Sequence, residues 1–262
     1  MIAAFRTELY KITRPRLVAG LVAVAVVLAV GMVLVVFLSA SEQPGAAGDR
    51  TATRAALAEP GGATEAFALG VSFSGILVFL MFIMLFAGEF SLGTIRMLLM
   101  QQPHRLSLLA GKMAALLACV AAFLLLTQAL VWVAATVVAP TQDVGRDAWF
   151  TLEGVGQAAR NYGLAIVVVA AWALFGASVA LIFRSVPIAV AVGFFWAGPL
   201  EHVLQDRWQG VTGYFPGLLL ETMAVGGTSD VSYERGLVLV TGYVAIAVAV
   251  SALLFVRRDV TS

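Results

Sequence analysis

Four charged side chains crowd one short stretch of a chain that otherwise avoids charge: Glu89, Arg96, Arg105 and Lys112, within GEFSLGTIRMLLMQQPHRLSLLAGK at 88–112. One carboxylate among three cations can form ion pairs, grip a polar partner or assist proton transfer. Catalysis needs more than that, and the motifs that would supply it are absent. Gly111-Lys112 is followed by Met113 and lacks the upstream glycine of a phosphate loop. Neither H-E-x-x-H nor G-x-S-x-G occurs. Cys119 is the single cysteine, which excludes an intrachain disulfide and a cysteine-based metal framework. No catalytic residue, metal site or cofactor is therefore assigned to this chain, and the expectation is that it is not an enzyme.

The elements that carry these residues are apolar. The 262 residues are 61% hydrophobic and 12% charged, with a mean hydropathy of +0.97. Soluble domains carry about 25% charged residues, so a lipid-embedded protein is expected. A bilayer core of about 30 Å takes about 20 apolar residues per helix. Six runs qualify: 17–38, 67–87, 106–138, 162–183, 186–200 and 236–256. The first follows a basic start, as a signal peptide would, but 22 apolar residues exceed the 7–15 or so of a cleaved leader. It reads as a retained span. The third run is too long for one perpendicular crossing, so its first turns should project into the cytoplasm. The fifth is short and holds Pro187 and Pro199, which makes it broken or only partly spanning.

Charge fixes the expected orientation. With both termini inside, the inner segments hold Arg6, Lys11, Arg14, Arg16, Arg96, Arg105, Lys112, Arg184, Arg257 and Arg258 against Glu8, Glu89 and Asp259, net +7. The outer segments hold the remaining six arginines and twelve acids, net −6. His104 then faces inward and His202 outward, so they cannot share a metal within one chain. The net charge of +1 gives no signal for nucleic acid. The predicted fold is an all-α polytopic membrane protein, a single transmembrane domain over 1–262. The outer loop 39–66 reads as a tether with a helical turn. GYFPGLLLETMA at 213–224 is apolar enough to form re-entrant or interfacial helices before the last span.

Two cytoplasmic segments offer a hold to a partner. Residues 1–16 place Ile2, Phe5, Leu9 and Ile12 on one helical face, with Arg6, Lys11 and Arg14 elsewhere, and Pro15 ends or kinks the segment. This is an amphipathic elbow helix for the inner headgroup layer. In 88–105, Gly93 permits a sharp turn, Ile95, Leu98 and Leu99 form an apolar stripe beside Arg96, and Pro103 suits a helix's first turn. A short helix held between two spans transmits rigid-body motion into both. The plainer alternative is that Glu89 pairs with Arg96 or with lipid headgroups while Lys112 snorkels. Phe194, Phe195 and Trp196 are either packing aromatics or the lining of a path. Glu201 and His202 either contact cargo or cap a helix.

The same stretch resembles the cytoplasmic signature of ABC-2-type exporter permeases. The match lies in Glu89, Gly93-Thr94, Leu98-Leu99, Pro103-His104-Arg105 and Gly111-Lys112, and the basic start with Glu8-Leu9 and Lys11 is similar to that family's elbow. Many relatives carry a second acid near Ser91 and a small or apolar residue in place of His104. The specific motif covers about 25 residues, while the six-span layout covers the chain. The resemblance implies the permease subunit of a bacterial ABC exporter, in the inner (cytoplasmic) membrane. Two such chains, identical or related, would assemble with two ATP-binding subunits that hold ATP and Mg and push on the elbow and on 88–105. Glu89, Gly93, Thr94, Arg96, Pro103 and Arg105 would be the coupling residues. Phe5, Arg6, Glu8, Leu9, Lys11 and Arg14 would form the elbow, and Phe194, Phe195 and Trp196 would line a path for a hydrophobic or amphipathic cargo. The alternative is a non-transporting six-span subunit that relays force or signal to an envelope partner.

Overall fold

The computed structural model describes residues 2–41, 52–101, 104–208 and 210–258, and these are helical almost throughout, with isolated bridges but no strand. In chain order the helices are α1 (Ile2–Ile12), α2 (Pro15–Leu38), α3 (Arg54–Ala58), α4 (Glu65–Ser91), α5 (Thr94–Gln101), α6 (Arg105–Val138), α7 (Leu152–Phe183), α8 (Val186–Phe195), α9 (Glu201–Arg207), α10 (Pro216–Ala224) and α11 (Tyr233–Arg257). Six helical segments are long and apolar enough to cross a membrane: Pro15–Leu38, Gly62–Ser91, Arg105–Gln142, Leu152–Phe183, Val186–Arg207 and Tyr233–Arg257. All six expected runs are among them.

Three boundaries differ from expectation, each for a physical reason. The fourth helix begins at Leu152 and not near Tyr162. Its first ten residues include Glu153, Gln157, Arg160 and Asn161, which ends the apolar run early, but at 1.5 Å per residue a 32-residue helix is about 48 Å long and overruns the hydrocarbon. The fifth segment does not end at Leu200. Pro199, which has no N–H to donate, is absorbed by a π turn over Trp196–Leu200, and the helical run continues through α9. Pro15 opens α2 as its first residue, so the elbow ends at Ile12. Residues 42–51 of the expected tether lie outside the described residues, but the helical turn anticipated in that loop is α3.

The chain forms two compact units: Met1–Leu9, Ser72–Leu117 and Val167–Ser262 in one, Tyr10–Val71 and Ala118–Ile166 in the other. In the second unit the fully buried Trp149 donates its indole N–H to the Leu57 carbonyl at 2.9 Å and meets Phe37 edge-on. Gln128 Nε2 donates to Ala158 O at 2.7 Å and the Tyr162 hydroxyl to Ala121 O at 3.0 Å, which fastens α6 to α7. Lipid tails are as apolar as side chains, so close packing and interhelical hydrogen bonds do the work that hydrophobicity does in water.

The first unit is built around Phe79, Phe82, Ile83 and Phe86 of α4, all buried. Phe79 lies edge-on to Trp172 of α7 at 5.4 Å. Glycines bring the backbones together there. A side chain on Gly176 would collide with the Phe79 carbonyl, and one on Gly193 of α8 would come 2.7 Å from the Phe79 ring. Gly163, by contrast, faces open space. Ser251 donates to Ser178 at 3.3 Å and ties α11 to α7.

Candidate functional site

The candidate site lies in the first unit, where α4 ends and α5 and α6 begin. At the end of α4 the Ser91 hydroxyl donates back to Ala87 O at 3.2 Å, and Gly93 then adopts φ 69°. That left-handed turn is the reason for a glycine, which reverses the chain without steric cost. Thr94 opens α5 with its hydroxyl on Glu89 O at 3.3 Å. On α5, Ile95 is buried, and Leu98 and Leu99 are half-buried on the same side. Arg96, Met97 and Met100 are exposed, Met100 at 79%. The expected short amphipathic helix is present. Pro103 lies outside the described residues.

Beneath α5 is an ion pair. Lys112 of α6 places Nζ 2.5 Å from Glu89 Oε1, donates to Leu85 O at 3.1 Å and sits 4.6 Å from the centre of the Phe86 ring. Its side chain is 6% exposed and that of Glu89 17%. Lys112 does not snorkel. Its cation is satisfied inward by a carboxylate, a carbonyl and an aromatic face, so it gains nothing by reaching for the surface. Phe86, Phe90, Ile95, Leu98, Leu181 and Phe255 close around the pair. Once its charges are matched, this cluster is a rigid knot and has no room for a substrate.

Arg105 is turned away from α5. Its Nη1 donates to the carbonyls of Phe255, Val256 and Arg258 at 3.2, 3.1 and 3.1 Å, which caps the end of α11. In the elbow, Phe5, Glu8, Leu9 and Lys11 are half-buried, while Arg6 and Arg14 are exposed. Phe194, Phe195 and Trp196 are each about half exposed on the fifth segment, and Trp196 meets Phe215 at 6.1 Å.

Glu201 caps a helix, one of its two expected roles, but the helix is α10 and not its own. It is fully buried, at 0% exposure, and Oε2 accepts from the Leu218 backbone N–H at 2.9 Å. Leu218 is the third residue of α10, whose own N-cap, Phe215, provides no side-chain cap. The carboxylate therefore satisfies an orphan N–H of a neighbouring helix and sits at its positive end. Gly217 makes room, since a Cβ there would fall 2.5 Å from Oε2. His202 adds a second tie, from Nε2 to Glu221 Oε2 at 3.3 Å. Cavity-sized space in this unit lies further along, about 500 Å³ lined by Trp208, Tyr214, Asp230 and Arg235 among others.

Sequence reasoning missed the partners of Lys112 and Glu201. The signal for Lys112 was present: unlike charges stand at facing ends of two apolar runs that one short loop joins. Nothing in the sequence marks Leu218 as the partner of Glu201.

Among the described residues no group of three or more His, Cys, Asp or Glu can hold a metal. The described residues thus form an all-helical protein with six helices long and apolar enough to cross a membrane and a short amphipathic helix between two of them. The chain belongs to the family described as Protein of unknown function (DUF2705), whose profile matches residues 21–261. No curated protein matches it.

Proposed function

We propose that the chain is the permease subunit of an ATP-driven exporter in the bacterial inner membrane. Two permeases, identical or related, form the path, and two separate ATP-binding subunits, which hold ATP and Mg, push on α5. The observation that carries this reading is the Glu89–Lys112 pair. It ties the end of α4 to the start of α6, so a displacement of the short helix between them moves both helices as a body. The exposed Arg96, Met97 and Met100 form a mixed polar and apolar face that suits a docked partner. The charge bias of the sequence puts this face, the elbow α1 and both termini on the cytoplasmic side. Only 11% of the most apolar stretch of α11, and 22% of that in Val186–Arg207, is buried within the chain. That leaves wide surfaces for lipid or a second permease, with Phe194, Phe195 and Trp196 along one of them. Glu89, Gly93, Thr94 and Arg105 shape and brace the coupling segment, and Arg96 touches the partner.

Site-directed crosslinking tests the proposal. Cysteine at Met97 or Met100, in a chain whose Cys119 is replaced by alanine, should crosslink in native membranes to a subunit that binds nucleotide. The purified complex should hydrolyse ATP and move an amphipathic cargo into vesicles. A crosslinked partner without nucleotide binding, or assembly with hydrolysis but no cargo movement, would sink the exporter reading.

A further inference from the structure

Three guanidinium groups meet at the neighbouring ends of α7 and α11. Arg105 reaches three carbonyls at the end of α11 from α6, as described above. Arg184, in the link between α7 and α8, donates from Nη2 to Leu254 O at 3.4 Å and lies 5.1 Å over the Phe90 ring. Arg258 returns the contact, from Nη1 to Ile182 O at 3.0 Å. Arg184 and Arg258 thus each hold the end of the other's helix. Arg184 adopts φ 53°, a left-handed conformation that side-chain-bearing residues take only at an energetic cost.

Among the described residues the helix ends do not balance the charge of Arg105 and Arg258. Each helix C-terminus presents about half a negative charge, so α7 and α11 together offer about one. Arg105 and Arg258 alone bring two. Both spend only Nη1 on the backbone, and their Nε and Nη2 make no hydrogen bond among the described residues. Arg258 is exposed and Arg105 partly so, which leaves that edge open to a ligand. Burial, with Arg258 and Arg105 close by, lowers the Arg184 pKa below the usual arginine value. An open guanidinium edge matches two oxygens of a phosphate in parallel.

We propose that Arg105, Arg184 and Arg258 form a binding site for a phosphate-bearing anion at the end of α11. The site lies where helices able to cross a membrane end, and basic pockets between such helices receive acidic lipid headgroups. The same chemistry would take a soluble phosphate. The site does not depend on the exporter reading, because it requires only that the chain sit in a membrane.

Native mass spectrometry of the full chain, released from vesicles of phosphatidylcholine and phosphatidylglycerol, tests the site. Retention of phosphatidylglycerol over phosphatidylcholine is expected, and Arg258→Gln should weaken it about fivefold. Arg258→Lys should restore most of it, and Arg160→Gln, in the other unit, should leave it unchanged. Displacement of that lipid by inorganic phosphate, or an Arg258-dependent rise in thermal stability with phosphate alone, assigns the site to a soluble anion. Equal retention by wild type and Arg258→Gln, with no stabilisation by phosphate, overturns the proposal. Should Arg258→Gln lose its native elution, wild type decides by salt titration. Retention that falls as salt rises supports the site, and retention indifferent to salt overturns it.

Discussion

Lys112 Nζ stands 2.5 Å from Glu89 Oε1 across the junction of α6 and α4, where the two side chains are only 6% and 17% exposed. Removal of one partner leaves the other buried and uncompensated, which costs about 3–5 kcal/mol. Glu89→Gln and Lys112→Met should each lower the thermal midpoint of the purified protein markedly. The exchange Glu89→Lys with Lys112→Glu should recover much of the loss. Single variants as stable as wild type would mean that the pair does not brace the junction.

The six spans and the short helix α5 were legible because they follow from local properties: apolar run length, a glycine at a turn, and a stripe at helical spacing. The ion pair was not. Arg96 is seven residues from Glu89 and Lys112 is twenty-three, so proximity along the chain favoured the wrong cation, while the antiparallel return of α6 brings the distant one inside. Glu201 illustrates the same limit. Its burial depends on the π turn at Pro199, which carries the helix past the point where the apolar run stops. The partner Leu218 N–H is a backbone group, and backbone groups leave no mark in a sequence.

Glu201 should behave as a cap supplied from another helix. Glu201→Ala removes the acceptor of the Leu218 N–H, and loss of a cap costs about 1–2 kcal/mol. Amide exchange at Leu218–Leu220 should quicken, while α4 and α7 stay protected. Glu201→Gln keeps a carbonyl acceptor and should preserve most of the protection. Unchanged exchange in Glu201→Ala would show that α10 needs no such cap.

Gly176 and Gly163 lie on the same helix and should differ sharply. A valine at Gly176 drives its side chain into the Phe79 carbonyl, and overpacking of a close contact costs about 1–3 kcal/mol. Gly163→Ala meets nothing within 4 Å and should be neutral or slightly stabilising, since alanine favours helix by up to about 1 kcal/mol. Thermal melts of the two variants in one detergent decide this. Equal losses would mean that the α4–α7 contact is looser than Gly176 indicates.

Arg96 separates coupling from architecture. Because Glu89 is engaged by Lys112, charge reversal at Glu89 breaks the junction and any loss of partner binding then follows from misfolding. Arg96 is exposed on α5, beside the stripe that holds Ile95, and its reversal leaves the Glu89–Lys112 pair in place. Arg96→Glu should therefore lower the melting temperature much less than Glu89→Gln or Lys112→Met does, because the buried pair stays intact and contacts of an exposed side chain are worth about 0–1 kcal/mol. If the proposed ATP-binding partner docks on α5, the same variant should lose co-purification with it, or keep it and hydrolyse ATP without transport. Arg96→Lys should retain part of the coupling, because it keeps the charge but not the planar fork. An Arg96→Glu protein with wild-type assembly and transport would remove α5 as the coupling element, however stable the fold around it.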